Sequence, residues 1–162
     1  MNAAADGYHN MVLKEDGSVW ATGWNRFGQL GDGGTTDGTN YVQVVSGDAK
    51  AVAAGSRHSM MLRQDGSVWV TGYNQYGQLG DGTTMDRHSF VQVISHDVEV
   101  IAAGAFHSMV ITKDSSVWVT GSNKDGQFGD DTTLAVEYFM ERTPFDKGVI
   151  HLTIIPGWIT HI

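Results

Sequence analysis

Several residue types in this chain recur at a spacing that could support chemistry. His9, His58 and His107 return at a constant interval of 49 residues, and imidazoles converging from successive units could ring a metal ion. Asp32, Asp81 and Asp130 sit in glycine-rich stretches such as Gly80 to Thr84, where carboxylates are good ligands for a hard cation such as calcium. Trp20, Trp69 and Trp118 could offer a stacking platform for a sugar or a base. The glycine-rich loops raise the question of a phosphate cradle.

Each of these has a simpler reading. A residue found in every unit most naturally serves every unit, so the histidines are expected to make a hydrogen bond that holds each unit's local geometry. The alternating Asp-x-Asp-x-Asp-Gly pattern of calcium loops is missing, and aspartate stabilises turns by bonding its own backbone two residues on. The tryptophans alternate with valines and recur once per unit, which favours burial between neighbouring units. No Gly-x-x-x-x-Gly-Lys-Ser/Thr stretch occurs, and no loop leads into a helical pattern. No unique nucleophile, base and orienting carboxylate stand out. The expectation is therefore a protein that is not an enzyme, with no catalytic residues, no metal site and no cofactor.

What must position these residues is a tandem repeat. The interval of 49 also carries Gly23 to Gly72 and Gly121, Asn25 to Asn74 and Asn123, Gly28 to Gly77 and Gly126, and Gly31 to Gly80 and Gly129. The repeats run at about 1–49, 50–98 and 99–147 within a single repeat domain, 1–162. A degenerate partial fourth repeat follows at 148–162, where Pro156 takes the histidine position. Asn2-Ala3 and Asp6 depart from the later repeats, so the chain is expected to begin partway through a unit.

Apolar residues alternate with period two in His58 to Arg63 and in Ser67 to Thr71, and Asp65-Gly66 between them predicts a hairpin with a type I′ turn. A third strand is expected near Phe90 to Ile94 and a fourth near Glu99 to Ala103, making four strands per repeat. The stretch from Gly72 to Asp81 is too glycine-rich for a strand or a helix and reads as a structured loop.

Three linked motifs, Ala-Ala-Gly-x-x-His-Ser, Asp-Gly-Ser-Val-Trp and Gly-Gln-Leu-Gly-Asp, resemble those of the regulator of chromosome condensation repeat family over roughly residues 3 to 150. The Gly-His and Trp-Asp signatures of WD40 repeats are missing, and the kelch period of about 50 lies close but does not bring these motifs. The resemblance implies an all-β fold of three tandem four-stranded antiparallel propeller blades. Propellers close with about 4 to 8 blades, so three form an incomplete propeller or part of a ring completed by assembly. The irregular third repeat, with Ser115 for Gly66 and Asp131 for Gly82, fits a terminal unit.

Charge and composition narrow the partner class. With 18 acidic against 10 basic side chains the net charge is −8, so a polyanion meets repulsion and direct nucleic-acid binding is not expected. Without cysteine there is neither disulfide nor thiolate chemistry. No 18 apolar residues run together, and the start shows no basic segment followed by an apolar one. A soluble protein without membrane contact or signal peptide is expected; the lack of cysteine leaves its compartment open, with cytoplasm or nucleus favoured.

Positions identical in all repeats hold blades together, whereas positions that differ are available for recognition. The differing residues are Tyr8, Arg57 and Phe106 before the histidine, and Trp24, Arg26, Phe27, Tyr73, Gln75 and Tyr76 in the glycine-rich loop. Tyrosine, tryptophan and arginine carry most binding energy at interfaces. These nine are the candidate partner-binding residues of a protein-interaction scaffold, with Phe27 and Tyr76 also open to plain packing. The third loop has Ser122, Lys124 and Asp125, so the surface should centre on the first two blades.

The resemblance also implies two alternatives. One is exchange or regulation in a small-GTPase or ubiquitin-ligase pathway; the other is a protein inhibitor of an enzyme or a self-assembling module. The partner would be a protein, a second copy, or the remainder of a longer propeller.

Overall fold

The computed structural model describes residues 2–142, and among them every regular element is a β-strand. The expected partial repeat at 148–162 lies outside the described residues.

Three antiparallel sheets follow one another along the chain. The first holds β1 (Asn2–Asp6), β2 (His9–Leu13), β3 (Val19–Gly23) and β4 (Gly38–Val45), in that spatial order. The second holds β5 (Ala49–Ala54), β6 (His58–Arg63), β7 (Val68–Gly72) and β8 (Arg87–Ile94). The third holds β9 (Val98–Ala103), β10 (His107–Thr112), β11 (Val117–Gly121) and β12 (Val136–Glu141). No helix among the described residues is long and apolar enough to cross a membrane.

Two expectations about phase are corrected. The strand near Glu99 to Ala103 does not close the second blade: Ala103 faces Ser108 and Val100 faces Ile111, so β9 opens the third sheet. Nor does the chain begin partway through a blade, because Asn2 pairs with Leu13 and Asp6 with His9, giving the first sheet its inner strand. Backbone pairing tolerates alanine and asparagine there as readily as the valines and isoleucine of later repeats.

The hairpin turn also differs from expectation. A type I′ turn needs positive φ at both central residues. Gly17 and Gly66 have φ of 78° and 83°, but Asp16 and Asp65 do not lie in the left-handed region. The Gly17 N–H donates to the Lys14 carbonyl at 3.1 Å and the Lys14 N–H to the Ser18 carbonyl at 3.0 Å, a three-residue loop ending in a left-handed glycine. The aspartate takes a different task, accepting the Ser18 N–H at 2.9 Å and the Ser18 hydroxyl at 2.6 Å.

Cores form between sheets. Met11, Leu13, Val19, Ala21 and Leu30 of the first unit pack against Val52 and Met61 of the second, with Trp69 and Phe90 at the edge. Met60, Leu62, Val68, Val70 and Leu79 meet Val98, Ala103 and Val110, edged by Trp118 and Phe139. Because the middle sheet is covered on both faces, Met60, Met61 and Leu62 are all fully buried, whereas β2 keeps alternation between buried and more accessible positions. Each such side chain contributes about 1.5–3 kcal/mol of burial. Trp69 and Trp118 therefore stand at the expected boundaries between blades.

The glycine-rich loop fastens each sheet to the next. Asn25 organises it: Oδ1 accepts the Leu30 N–H at 3.0 Å, while Nδ2 donates to Asp32 Oδ1 at 3.0 Å and to the Thr36 carbonyl at 3.1 Å. Leu30 then enters the core with no exposure. Gly28, at φ 78°, lies so close to β8 that a Cβ would stand 2.4 Å from His88 Cα. Thr71 Oγ1 lies 2.8 Å from the Gly28 carbonyl of the preceding loop and the same distance from the Arg87 carbonyl of its own sheet.

Candidate functional site

The first two of the repeated histidines, His9 and His58, join neighbouring sheets. His9 Nε2 meets Ser59 Oγ at 2.8 Å and His58 Nε2 meets Ser108 Oγ at 2.9 Å, so each bond crosses into the following blade, whereas the sequence pointed to a bond that holds the histidine's own blade. Each serine hydroxyl donates onward to a carbonyl of the preceding loop, Ser59 to Gln29 and Ser108 to Gln78, both at 2.7 Å. With its one proton so directed, the serine must accept from Nε2–H, which assigns the neutral Nε2–H tautomer. Burial holds His9 down to about 4 and His58 to about 3, with the charges of His107 and His9 adding to the effect at His58. These rings are structural latches, and among the described residues no group of three or more candidate ligands could hold a metal.

The loop aspartates do turn chemistry. Asp81 Oδ1 accepts the Thr83 N–H at 3.0 Å and the Thr83 hydroxyl at 2.7 Å, and Oδ2 takes Arg87 Nε at 2.7 Å. Burial raises its pKa, but the bonds from Thr83 and Arg87 prevail and hold the carboxyl below its usual range. Asp130 is held down to about 2, first by Thr132 and then by Arg142.

The nine candidate partner-binding residues lie at one end of the sheets. Tyr8, Arg57 and Phe106 precede β2, β6 and β10. The N–H of Trp24 donates to the Tyr8 carbonyl at 2.8 Å and that of Tyr73 to the Arg57 carbonyl at 2.9 Å. Each central hairpin is thereby prolonged by one rung past its glycine, which places these side chains on a common rim. Phe27 and Tyr76 come from the loop above, their N–H groups held by Gln29 Oε1 and Gln78 Oε1 at 3.0 and 3.1 Å.

On this rim six rings form an unbroken chain. Tyr8 meets Trp24 at 5.4 Å between centroids, Trp24 meets Phe27 at 5.3 Å, and Phe27 meets Tyr73 at 4.7 Å. Tyr73 touches Tyr76 at 6.1 Å and Phe106 at 6.2 Å, and Tyr76 touches Phe106 at 5.4 Å. Five of these six contacts are edge-to-face and that of Phe27 with Tyr73 is tilted; edge-to-face pairs are worth about 0.5–1.5 kcal/mol beyond burial. The Arg57 guanidinium sits among them, 5.5 Å from Phe27 and Tyr73 and 5.7 Å from Trp24 and Phe106. Desolvation raises the Tyr73 pKa, with Tyr76 adding to it and Arg57 opposing, so its hydroxyl remains a donor.

Seven of the nine are thus brought together. Arg26 is exposed on the first loop without joining the rings, and Gln75 turns aside to donate to the Thr84 carbonyl at 3.3 Å. The cluster reaches further than the first two blades, because Phe106 of the third closes it. Phe27 and Tyr76 do pack against the next sheet, yet Tyr76 stays 45% exposed and Tyr8 68%. Sequence reasoning passed over Asp37 and Asp86, which accept the Asn25 and Asn74 N–H groups at 2.9 and 2.8 Å and so brace both loops. Their own 49-residue interval was the available signal.

Three consecutive four-stranded antiparallel sheets, joined side by side and displaying loops at one end, define a β-propeller repeat protein. Family models for the regulator of chromosome condensation (RCC1) repeat match residues 16–62 and 65–111, and in a second version 49–78 and 98–127. The chain belongs to the regulator of chromosome condensation repeat family. The first matched unit starts at one hairpin turn and ends inside β6, so the sequence repeat straddles two sheets just as the latches do.

Among solved structures the chain is similar to human WBSCR16, with a TM-score of 0.75 and 21% identity over 87% of this chain and 38% of that one. It is also similar to yeast RCC1 (Prp20) bound to Kap60, with a TM-score of 0.72 and 21% identity over 90% and 38%. A Saccharomyces cerevisiae Prp20p structure, described with its binding to Gsp1p and histones, gives 0.70 and 23% over 90% and 39%. The chain therefore spans less than two fifths of the solved propellers it matches. No curated protein matches it.

Proposed function

We propose that this chain is a non-enzymatic interaction module that grips a protein partner with the rim built from Tyr8, Trp24, Phe27, Arg57, Tyr73, Tyr76 and Phe106. One observation carries the reading: four half-buried rings from three successive sheets, Trp24, Phe27, Tyr73 and Phe106, converge on a single arginine, and the rings that flank them, Tyr8 and Tyr76, are widely exposed. Aromatic residues and arginine on a rigid base are what interface hot spots are made of. The repeated polar groups are consumed in latches and turns. The likeness to yeast RCC1, a protein described with protein partners, agrees with this class of function.

The test is a photo-cross-linking amino acid placed at position 76 on the rim or at position 41, which is 50% exposed on the outer strand β4. Saturable, stoichiometric adducts from position 76 that vanish on Trp24→Ala with Tyr73→Ala are expected. Adducts arising equally from position 41 would refute the rim. Faster nucleotide release from a small GTPase, at substoichiometric amounts of this chain, would instead establish exchange activity.

A further inference from the structure

Arg57 differs from the arginines that brace the loops. Arg87 pairs with Asp81 at 2.6 Å and Arg142 with Asp130 at 2.7 Å. Arg57 has no carboxylate partner and no side-chain hydrogen bond among the described residues, and its contacts are the faces of Trp24, Phe27, Tyr73 and Phe106. A guanidinium carries five N–H donors in a fixed planar fork. Rings surround the guanidinium on several sides and leave its donors unanswered, so an arriving acceptor meets a fork already confined among aromatic neighbours.

The arrangement also discriminates by charge. Aromatic faces bind cations, but here the protein's own guanidinium already lies against four of them. A cationic partner group would meet like charge at the centre of the rim. A nucleic acid needs a row of cations, whereas the nine rim and loop residues include two arginines, Arg26 and Arg57, on a chain of net charge −8. A single carboxylate flanked by an apolar side chain suits one fork set among rings.

Resting on the rim reading above, we infer that Arg57 selects a protein segment that presents an aspartate or glutamate to its guanidinium, beside an apolar side chain laid on Tyr73, Tyr76 and Phe106. Arg57 is the specificity-determining residue, and the rings supply sequence-tolerant area.

The test titrates the full chain with short synthetic peptides carrying Asp-Phe or Glu-Leu in a neutral Gly/Ser background. Matched peptides replace the acid by its amide, by lysine or by phosphoserine, and oligothymidine serves as a polyanion. The acidic peptides should bind at least about 10-fold more tightly than their amides. Arg57→Gln should erase that preference and Arg57→Glu should turn it toward lysine. If Arg57→Gln does not fold, the acid-to-amide change made in the peptide still reads the same contact on the native chain. The inference is overturned if acids and amides bind alike or not at all, if lysine, phosphoserine or oligothymidine binds best, or if the preference survives Arg57→Gln. Binding lost in Trp24→Ala and Tyr73→Ala but unaltered in Arg57→Gln would keep the rim and remove this inference. Binding indifferent to all three would remove both.

Discussion

His9 Nε2 and Ser59 Oγ, fifty positions apart, meet at 2.8 Å across the boundary between the first two sheets, and His58 and Ser108 repeat the contact at 2.9 Å across the next. The separation is one more than the repeat because the serine follows the next repeat's histidine. Each serine also holds a carbonyl of the loop between the sheets, so one buried hydroxyl ties together two sheets and a loop. The rim rests on this joint: Arg57 immediately precedes His58, and Tyr8 precedes His9.

Removing the hydroxyl should therefore weaken the joint between sheets. Ser108→Ala leaves the His58 N–H buried without an acceptor and should cost about 1–3 kcal/mol. Urea unfolding checks this against Ser95→Ala, an exposed control that should stay within about 0.5 kcal/mol. Equal losses for both would contradict the latch.

Stability should fall as pH drops below neutral, before the carboxylates titrate. Folding lowers the pKa from 6.5 to about 4 at His9 and to about 3 at His58. Between those values the unfolded chain binds more protons, so the contribution is complete above pH 6.5 and is lost as pH falls toward 4 and then 3. Each histidine adds a slope of about 1.4 kcal/mol per pH unit. Urea midpoints from pH 7.5 to 4.5 should decline in the wild type and less steeply in His58→Gln. A flat wild-type profile would rule out neutral buried rings.

At the third hairpin Ser115 adopts φ of 67°, where Gly17 and Gly66 stand in the first two. A left-handed non-glycine residue costs about 1–2 kcal/mol, part of which returns as glycine's greater freedom when unfolded. Ser115→Gly should raise stability by about 0.5–1 kcal/mol, and thermal unfolding would show it. Gly66→Ser should be destabilising, since its Cβ would lie 2.8 Å from the Asp97 nitrogen.

Binding and folding should separate at the second loop. Leu79 is fully buried, so Leu79→Ala should cost about 2–5 kcal/mol. Tyr76→Ala, three residues away and 45% exposed, gives up ring contacts with Tyr73 and Phe106 and should cost about 1–2 kcal/mol, less than Leu79→Ala, while weakening partner binding at least about 10-fold. Paired chemical denaturation and binding titrations read both quantities. Tyr76→Ala with unchanged affinity would remove Tyr76 from the contact surface.

The architecture was legible because period-two strands and a constant interval both survive in the chain, and residues such as Trp69 and Leu79 must hide one face against a neighbour. The phase of the blades was not, since a repeat read alone cannot show that Val98 to Ala103 pairs forward with β10. The same blindness hid the true partners of His9 and His58. The Asp-Gly pair marked the hairpin correctly but not its geometry, because Asp65 was bonding Ser67 instead of taking a left-handed conformation. At the rim, residue type and variability picked out seven members of one cluster. They could not reveal that Arg57 stands among the rings, or that Gln75 turns back to its own loop.

The most direct test is hydrogen exchange of the chain alone and in complex with the protein captured from position 76. Slowed exchange confined to the segments holding Tyr8, Trp24 to Phe27, Arg57, Tyr73 to Tyr76 and Phe106 is the predicted result. Protection on the outer strands β4, β8 and β12, with the rim unchanged, would contradict it.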